Sequence, residues 1–333
     1  MKALSLFGGS ASQSVSRARV IGKLAYLYLR RGSAIELSRA LAPLTFPDPP
    51  YPRTLSIEFT NACQAKCSYC PTQHSMRRVQ GFMSSCMFST VLTQVKYAHP
   101  QTVRVIGSGE PTLHPRLREM IQALGGTAPV VTLTTNGQLL TERNASAALD
   151  VVDIIEVSVD SDNGADYDRV REGATYKRLT DNLRLIRQLR KERRSKTMIE
   201  IRVGIRPSQK ETERFIEHWH PFGDVIVLQK LRAYSSSDPD LYPLEPSGDT
   251  DQCALLFKYM NIRWNGDVPL CQYSAYQFGA PDGLLLGNVA SDDLVNLWNS
   301  RLMRQYRNGH RRRDVVLTPI CKGCAHRWPS VGF

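Results

Sequence analysis

The chain has 333 residues, 42% hydrophobic and 22% charged, which is enough for one large domain with a smaller appendage. No run approaches the roughly 18 apolar residues that a membrane helix needs. The amino terminus lacks the cleavage site of a secretory signal. We therefore expect a cytoplasmic protein that does not cross a membrane.

The formal charge of +12 is concentrated in two basic runs, 187–196 and 301–314. Solvated helix ends are the simpler interpretation of such runs. An anionic partner, such as a phosphorylated substrate, an acidic electron donor or RNA, is the alternative. No RNA-recognition pattern with interleaved aromatic residues accompanies either run, so nucleic acid is not expected.

Three regions follow one another along the chain. Residues 1–53 predict a helical extension that ends in a proline-rich linker, residues 54–235 alternate strand-like and helix-like segments, and residues 236–333 form a smaller region. Six strands are predicted in the middle region, at 54–59, 103–106, 130–134, 152–159, 198–206 and 224–231. Five helices are predicted between them, at 84–97, 114–124, 141–149, 176–194 and 209–220. This alternation indicates parallel βα units, whose active sites form where the strands end.

Three cysteines follow the first predicted strand with the spacing C-x3-C-x2-C: Cys63, Cys67 and Cys70. A structural zinc site needs four closed ligands, and this loop offers no fourth cysteine or well-spaced histidine. A [4Fe–4S] cluster is also usually held by four thiolates, so three thiolates predict a cluster with one iron open to another ligand. The next three strands end in Gly107-Ser108-Gly109-Glu110-Pro111, Thr134-Thr135-Asn136-Gly137 and Ser158-Val159-Asp160. Together these strand ends predict a ligand pocket beside the cluster.

A second set of cysteines lies near the carboxyl terminus: Cys253, Cys271, Cys321 and Cys324. Zinc is one interpretation of four cysteines in a small module, and an iron–sulfur cluster is another. Asn265-Gly266 predicts a hairpin turn between these cysteines, and residues 292–306 carry a helical pattern. Because the chain has no secretion signal, we expect its cysteines to be metal ligands in a reducing compartment and not disulfides.

The cysteine loop after the first strand, followed by the GSGEP segment after the second, resembles the radical S-adenosylmethionine (SAM) enzymes over about residues 54–231. The resemblance implies an α/β fold, a partial (βα)6 TIM-like barrel with a helical extension before it and a small cluster-binding domain after it. It also implies that three loop cysteines bind a [4Fe–4S] cluster whose fourth iron binds the amino and carboxylate groups of SAM. The residues it brings to SAM are Tyr69 at the adenine, Gly107, Ser108, Gly109 and Glu110 at the methionyl ammonium, and Ser158 and Asp160 at the ribose, with Asn136 as a further candidate.

The carboxyl-terminal cysteines, together with the WNGDV, GNV and LWNS segments between them, resemble the SPASM and twitch extensions of these enzymes. Four cysteines fit the twitch type, in which Cys253, Cys271, Cys321 and Cys324 ligate every iron of one auxiliary [4Fe–4S] cluster. A closed cluster is suited to accepting an electron. The layout is similar to the aminocyclitol dehydrogenases and epimerases of aminoglycoside pathways.

The resemblance implies that SAM is cleaved to a 5′-deoxyadenosyl radical, which abstracts hydrogen from a C–H bond of a carbohydrate or aminocyclitol. Oxidation of an alcohol to a ketone is the expected outcome, with the electron passed to the auxiliary cluster. A flavodoxin- or ferredoxin-type protein would supply the initiating electron, and the substrate is a small polar molecule, with or without a phosphate.

Three alternatives remain open at this point. The first is a radical epimerase, in which Cys86, just after the predicted helix cap Ser84, would return a hydrogen atom; a thiol packed against the core is the simpler interpretation of Cys86. The second is modification of a ribosomally made peptide. The third is a non-catalytic iron–sulfur or zinc protein that binds an acidic partner.

Some other polar residues carry weaker signals. Asp162, Asp166, Asp168, Arg169 and Glu172 follow the fourth strand and suit either substrate contact or a solvated helix start. Arg202 and Arg206 alternate with apolar residues of the fifth strand and are expected inside the barrel with an anionic partner. His114 and His310 lack the spacing of metal ligands and are expected to be structural.

Overall fold

The fold is described from a computed structural model of the protein, for residues 4–5, 49–70, 72, 78–205, 209–230, 253, 255–271, 284–312 and 321. The predicted helices of the amino-terminal extension, the linker after residue 231, Arg206 and Cys324 lie outside these residues. Within the described part of the chain, no helix is long and apolar enough to cross a membrane.

Strands and helices alternate through the middle of the chain. The strands are β1 (Leu4–Ser5), β2 (Thr54–Ile57), β3 (Lys66–Cys67), β4 (Thr102–Val105), β5 (Val130–Thr135), β6 (Ile154–Val159), β7 (Arg171–Glu172), β8 (Met198–Ile205), β9 (Val225–Lys230), β10 (Tyr259–Ile262), β11 (Asp267–Pro269) and β12 (Leu285–Asn288). The α-helices are α1 (Ser85–Ala98), α2 (Leu117–Ala123), α3 (Glu142–Val151), α4 (Gly164–Val170), α5 (Tyr176–Glu192), α6 (Gln209–Trp219), α7 (Leu255–Lys258), α8 (Leu294–Trp298) and α9 (Arg301–Arg312). All six predicted strands and five predicted helices of this region are confirmed within a few residues.

The main sheet has eight strands in the order β1-β9-β8-β6-β5-β4-β2-β10, and every neighbouring pair is parallel. The six predicted strands are neighbours in chain order, as successive βα units require. The architecture is therefore the partial TIM-like α/β barrel that was expected. Two strands from outside this region extend its edges: β10 pairs with β2, and β1 pairs with β9.

The two faces of this sheet have different chemistry because side chains alternate along a strand. One face is apolar and packs in a single core with the helices, as in Ile57 and Val105 with Val91 of α1. The opposite face lines the inside of the arc and is mainly polar, with Val130, Ile154 and Met198 near the starts of their strands. It carries Ser56, Arg104, Thr132, Thr134, Glu156, Ser158, Glu200 and Arg202. The sequence therefore builds a polar lumen inside an apolar shell.

Side-chain caps fix where several helices begin. Ser84 accepts a hydrogen bond from the Met87 N–H at 3.1 Å, which confirms it as the cap of α1. Thr141 and Thr175 cap α3 and α5 in the same way. These caps lie at the end of each helix that faces the strand-end loops.

The carboxyl-terminal region interlocks with the barrel. Gln94 of α1 donates to the Val289 and Asp292 carbonyls, each at 2.9 Å, and accepts from the Leu294 N–H at 2.6 Å. The Trp298 indole donates to the Pro49 carbonyl at 2.7 Å, which ties the proline-rich linker to the same region. The two modules therefore share one packed interface in addition to the β2–β10 pairing.

Two details of this region differ from the expectation. The Asn265-Gly266 turn forms, with Gly266 at φ +89°, but β11 then pairs with β12, while β10 joins the main sheet. The predicted helix at 292–306 is split at Asn299 into α8 and α9. Both differences arise because packing against the barrel decides what each segment contacts, and the hydrophobic pattern of the segment itself does not show this.

Candidate active site

The cysteine loop leaves β2 and is pressed against the glycine-rich loop that follows β4. The Glu110 N–H donates to the Ala62 carbonyl at 2.9 Å. A Cβ at Gly109 would lie 2.3 Å from that same carbonyl oxygen, and one at Gly107 would lie 2.4 Å from the Glu58 side chain. Both glycines of the GSGEP segment are therefore required by close contact between two loops.

The other side of the cysteine loop is held by residues that follow α4. The short strand β3, which contains Cys67, pairs antiparallel with β7, and the Ser68 N–H donates to the Val170 carbonyl at 3.0 Å. Gly173, at φ +83°, allows a close approach to the Gln64 carbonyl. The helix α4 agrees with the solvated helix start that was one interpretation of the polar residues after the fourth strand, whereas β7 was not predicted, because two residues are too few to carry a periodic signal.

A buried ion pair fixes the first two strand-end loops to each other. Arg78 binds both carboxylate oxygens of Glu58, at 2.9 and 3.0 Å, and also donates to the Ser108 hydroxyl at 2.6 Å. The Ser108 N–H donates to Glu58 at 2.9 Å. Burial opposes ionisation of Glu58, but the hydrogen bonds and charge of Arg78 outweigh it and lower the pKa of this carboxyl. Ser108 was predicted at the methionyl ammonium of SAM. In the structure its hydroxyl accepts a hydrogen bond from Arg78 and its N–H donates one to Glu58, so both groups are bound to other residues of the chain.

Glu110 joins the loop after β4 to the loop after β5. Its carboxylate accepts from the Thr112 hydroxyl at 2.5 Å, the Thr135 hydroxyl at 2.7 Å and the Asn136 N–H at 2.7 Å. Burial raises the pKa of this carboxyl, although the hydrogen bonds act in the opposite direction. The structure therefore brings Glu110 and Asn136 together, as predicted, and holds the carboxylate rigidly at the strand ends.

Tyr69 and Asp160 are also brought together. The Tyr69 hydroxyl donates to an Asp160 oxygen at 2.5 Å, and Arg171 donates to the same oxygen at 2.5 Å. Arg171 is 4% exposed and was not singled out from the sequence. Burial raises the pKa of Tyr69 well above its usual value, so the phenol stays protonated and can donate. Ser158 lies on the same face of β6 as Asp160 and is half-buried.

The three loop thiols lie near one another and near the predicted pocket. Burial, reinforced by the charges of Glu110 and the other two loop cysteines, raises the pKa of Cys63 to about 12 in the metal-free chain. The Asn136 amide lies 3.8 Å from the Cys63 sulfur. In the described part of the chain, no three His, Cys, Asp or Glu side chains converge on one point as ligands of a single metal ion would.

The lumen below these loops contains a cluster of opposite charges. Glu156 pairs with Arg104 at 2.7 Å and with Arg202 at 2.8 Å, and Arg202 also pairs with Glu200 at 2.8 Å. Burial opposes the charge of Glu156, yet the two arginines lower its pKa to about 2. Arg202 thus has the anionic partner expected for it. Thr134 completes the cluster with a hydrogen bond of 2.6 Å to Glu156.

The described cysteines of the second set gather around α9. Cys253 is buried, and Cys271 and Cys321 are half-buried. His310 links two of them: its Nδ1 lies 3.4 Å from the Cys253 N, and its Nε2 lies 3.4 Å from the Cys321 sulfur. Spacing along the sequence gave no indication of this contact, since α9 packs against the cysteines only in the folded chain.

The remaining candidates occupy local roles. Cys86 is exposed on the first turn of α1, so its interpretation as a core thiol is wrong. Asp162 pairs with Arg214 at 2.5 Å, and Asp168 accepts from the Tyr176 N–H at 2.6 Å. His114 packs in the interior and bonds the Met83 carbonyl at 3.0 Å, as expected of a structural histidine.

The run at 187–196 is mostly exposed, at and beyond the end of α5. The second run forms the helix α9, and its residues 301–310 include buried as well as exposed side chains. In α9, Arg301 and Arg304 are exposed, but Arg307 is fully buried and its guanidinium lies 4.0 Å from the Trp298 ring centre. One arginine of the run therefore belongs to the packing of this module.

Residues 57–217 match the radical SAM superfamily, and residues 253–325 match the iron–sulfur cluster-binding domain named SPASM. The chain is therefore a radical SAM enzyme with a SPASM domain. SAM and two [4Fe–4S] clusters are its cofactors, in agreement with the cysteine spacing.

Curated relatives span both domains. The tungsten-containing aldehyde ferredoxin oxidoreductase cofactor-modifying protein of Pyrococcus furiosus is 23% identical over 321 residues, covering 82% of this chain and 87% of that protein. Mycofactocin maturase MftC of Mycobacterium tuberculosis is 26% identical over 312 residues, covering 83% and 76%.

Two solved structures share the fold. BtrN in complex with AdoMet and 2-DOIA superposes with a TM-score of 0.54 at 15% identity, covering 83% of this chain and 97% of that one. Streptococcus suis SuiB bound to precursor peptide SuiA gives a TM-score of 0.59 at 13% identity, covering 92% and 74%. At these identities the likeness concerns the fold.

Proposed function

We propose that the protein is a radical SAM dehydrogenase, which oxidises an alcohol of a small, polar, carbohydrate-like substrate to a ketone. The observation that carries this proposal is the lumen, where five neighbouring strands contribute hydroxyl and charged side chains to the inward face, beside the apolar Val130, Ile154 and Met198. A hydroxyl-rich molecule can exchange its water contacts for hydrogen bonds to the partly exposed Thr134, Ser158 and Arg202, whereas an apolar molecule offers them none.

The residues at the strand ends would hold SAM. Cys63, Cys67 and Cys70 are its cluster ligands in this proposal, and the Gly107–Glu110 loop with Asn136 surrounds the methionyl end. Tyr69, Ser158 and Asp160 would contact the adenine and ribose. The bound cofactors supply one-electron chemistry, while the chain orients the reactants and excludes water.

The proposed oxidation balances with the second cluster as acceptor. With SAM bound, the substrate carbon would give up a hydrogen atom to the radical that this cofactor supplies, and the substrate hydroxyl would give up a proton. One electron would then remain, and Cys253, Cys271, Cys321 and Cys324 would hold the cluster that accepts it. The exposed Arg301 and Arg304 of α9 offer a basic surface for an acidic redox protein of the flavodoxin or ferredoxin type, which would supply the initiating electron. We expect the enzyme and this electron donor to be cytoplasmic.

The decisive experiment is anaerobic turnover of the reconstituted enzyme with SAM, a reductant and a panel of aminocyclitols and sugars. We expect 5′-deoxyadenosine together with a ketone product. The Cys271→Ala variant should still cleave SAM but should lose the ketone, whereas Cys63→Ala should lose both. Absence of 5′-deoxyadenosine above background from the intact enzyme would exclude the radical reaction.

Epimerisation predicts a different isotope pattern. If the product formed in deuterated water carries deuterium at the reacting carbon and remains an alcohol, the enzyme is an epimerase. Cys86, exposed at the start of α1, is then the thiol to test. Cys86→Ser would stop epimer formation while SAM cleavage continued, but it would leave a dehydrogenase unaffected.

Modification of a peptide is the remaining candidate function, and its support comes from the similar proteins. A maturase is among the curated relatives, and SuiB was solved with a precursor peptide. Turnover with short peptides encoded beside the gene separates the candidates: a mass change in a peptide, with no reaction of sugars, would favour this function.

A further inference from the structure

His310 is buried among the cysteines of the SPASM domain and is not accounted for by the proposed ligand set. It is 5% exposed and lies on α9, one turn after Tyr306, which is 3% exposed. Residues four apart share one face of a helix, so both side chains face the same side. Burial, followed by the charges of Cys321 and Cys271, raises the pKa of Tyr306, so its ring is also close to these sulfurs.

The contacts of the imidazole fix which nitrogen carries its hydrogen. The Cys253 N–H points at Nδ1 and is the donor in this contact. Nδ1 must therefore accept, and in a neutral imidazole the hydrogen is then on Nε2. Nε2 lies 3.4 Å from the Cys321 sulfur, so the ring has an N–H directed at that sulfur.

The other polar side chain on this face is engaged elsewhere. Arg307 is fully buried, its Nε donates to the Leu256 carbonyl at 2.8 Å, and its guanidinium lies over the Trp298 ring. Of the side chains described on α9, His310 is the one whose N–H meets a cysteine sulfur.

We infer that His310 is a positioning residue of the auxiliary cluster, which donates a hydrogen bond to the Cys321 thiolate and raises the reduction potential of that cluster. A hydrogen bond to a ligating sulfur withdraws electron density and stabilises the reduced, more negative cluster. Within the proposed function this would favour electron acceptance, but the effect on the potential does not depend on the substrate.

The test compares two variants of the intact, anaerobically reconstituted enzyme. His310→Gln retains an N–H donor, and His310→Leu removes it. We measure the midpoint potential of each cluster by redox titration with EPR detection, using added SAM to identify the SAM-binding cluster. His114→Leu is the matched control, because it removes a buried imidazole that bonds a carbonyl far along the chain from these cysteines.

The auxiliary cluster of His310→Leu should become harder to reduce. We expect its reduced-to-oxidised ratio at a fixed potential to fall about tenfold, which equals about 59 mV for a one-electron couple. His310→Gln should recover most of this shift, and the SAM-binding cluster should be unchanged in both variants. An unchanged auxiliary potential in His310→Leu with full iron content would overturn the inference.

A measurement on the unaltered enzyme covers the case in which the variants lose iron. With ¹⁵N-histidine incorporated, pulsed EPR of the reduced auxiliary cluster should detect a weak nitrogen coupling, as expected across a hydrogen bond. A strong coupling would show that the imidazole is itself a ligand, as in Rieske centres, and the absence of coupling would show no contact. Either result overturns the inference without bearing on substrate oxidation.

Discussion

At the scale of single residues, the candidate active site depends on close backbone approach and on shared carboxylates. Gly109 lets two strand-end loops touch, and Glu58, Glu110 and Asp160 each join groups from different loops. These contacts fix the positions of the cysteines before any cofactor binds. Because the site is already ordered in the folded chain, the conformational entropy of ordering it is lost during folding and not during cofactor binding.

Gly109→Ala should dislodge the cysteine loop. Its Cβ would meet the backbone at Ala62 at 2.3 Å, and backbone atoms cannot rotate away as a side chain can. We expect iron content after reconstitution to fall from roughly eight to roughly four atoms per chain, with loss of 5′-deoxyadenosine. Gly125→Ala, with its nearest contact at 3.2 Å, is the control. Full iron in Gly109→Ala would contradict this account.

Asp160→Asn should leave Arg171 buried without its charge partner. Breaking such a pair costs about 3 kcal/mol of the free energy of unfolding, which urea denaturation measures. SAM affinity, followed by calorimetry, should weaken about tenfold, since one charged hydrogen-bonding group is lost. Asp181→Asn, an exposed carboxylate on α5, should change neither quantity. Normal SAM binding by Asp160→Asn would remove Asp160 from the site.

At the scale of elements, alternation along the strands divides the barrel into an apolar shell and a charged lumen. The shell packs against the helices, while Arg104 and Arg202 are balanced inside by Glu156 and Glu200. A charge in this position survives burial only through its partners. The lumen can therefore be polar without losing stability.

Glu156→Gln should destabilise the barrel in a pH-dependent way. The pKa of Glu156 is lowered to about 2 from a usual 4.5, so its ion pairs stabilise the fold above pH 4.5 and this contribution is lost as the pH falls toward 2. The shift corresponds to about 3 kcal/mol at neutral pH. We expect the difference in unfolding free energy from the unaltered protein to close on acidification. The control Glu119→Gln, in an exposed pair, should show no comparable difference.

At the scale of the whole molecule, the two cluster domains are joined by a sheet edge and a helix contact. The strand β10 belongs to the carboxyl-terminal region but completes the barrel beside β2, next to the cysteine loop. Gln94 fixes the start of α8 to α1 with three hydrogen bonds. This arrangement holds the two modules in one relative position.

Gln94→Leu should loosen the SPASM domain on the barrel. Three half-buried hydrogen bonds are lost, and two carbonyls and the Leu294 N–H lose their partner, which we expect to cost about 2 kcal/mol. Hydrogen exchange should accelerate in α8 and at the β11–β12 pair, while β5 and β6 remain protected. Gln188→Leu on the exposed surface of α5 is the control. If hydrogen exchange in α8 and at the β11–β12 pair of Gln94→Leu is as slow as in the unaltered protein, Gln94 does not join the domains.

The sequence was sufficient to predict the order of the βα units, which the structure confirms, and to predict two separate groups of cysteine ligands. Hydrophobic periodicity and the C-x3-C-x2-C spacing are local signals, since the residues that carry them lie close together in the chain. The second group spans residues 253–324 and was recognised from its resemblance to known extensions. The GSGEP loop, Asn136 and Asp160 could be placed at one edge because parallel strands all end there.

Only the tertiary structure decided which side chains meet across that edge. Arg78 contacts residues 20 and 30 positions away, Arg171 contacts residues 11 and 102 positions away, and His310 contacts residues 11 and 57 positions away. No local sequence pattern marks these contacts. The same holds for β10, whose sequence predicts a hairpin strand but which pairs with the edge strand β2 of the main sheet in the structure. Long-range pairing is decided by burial and by the satisfaction of polar groups, which are properties of the folded chain.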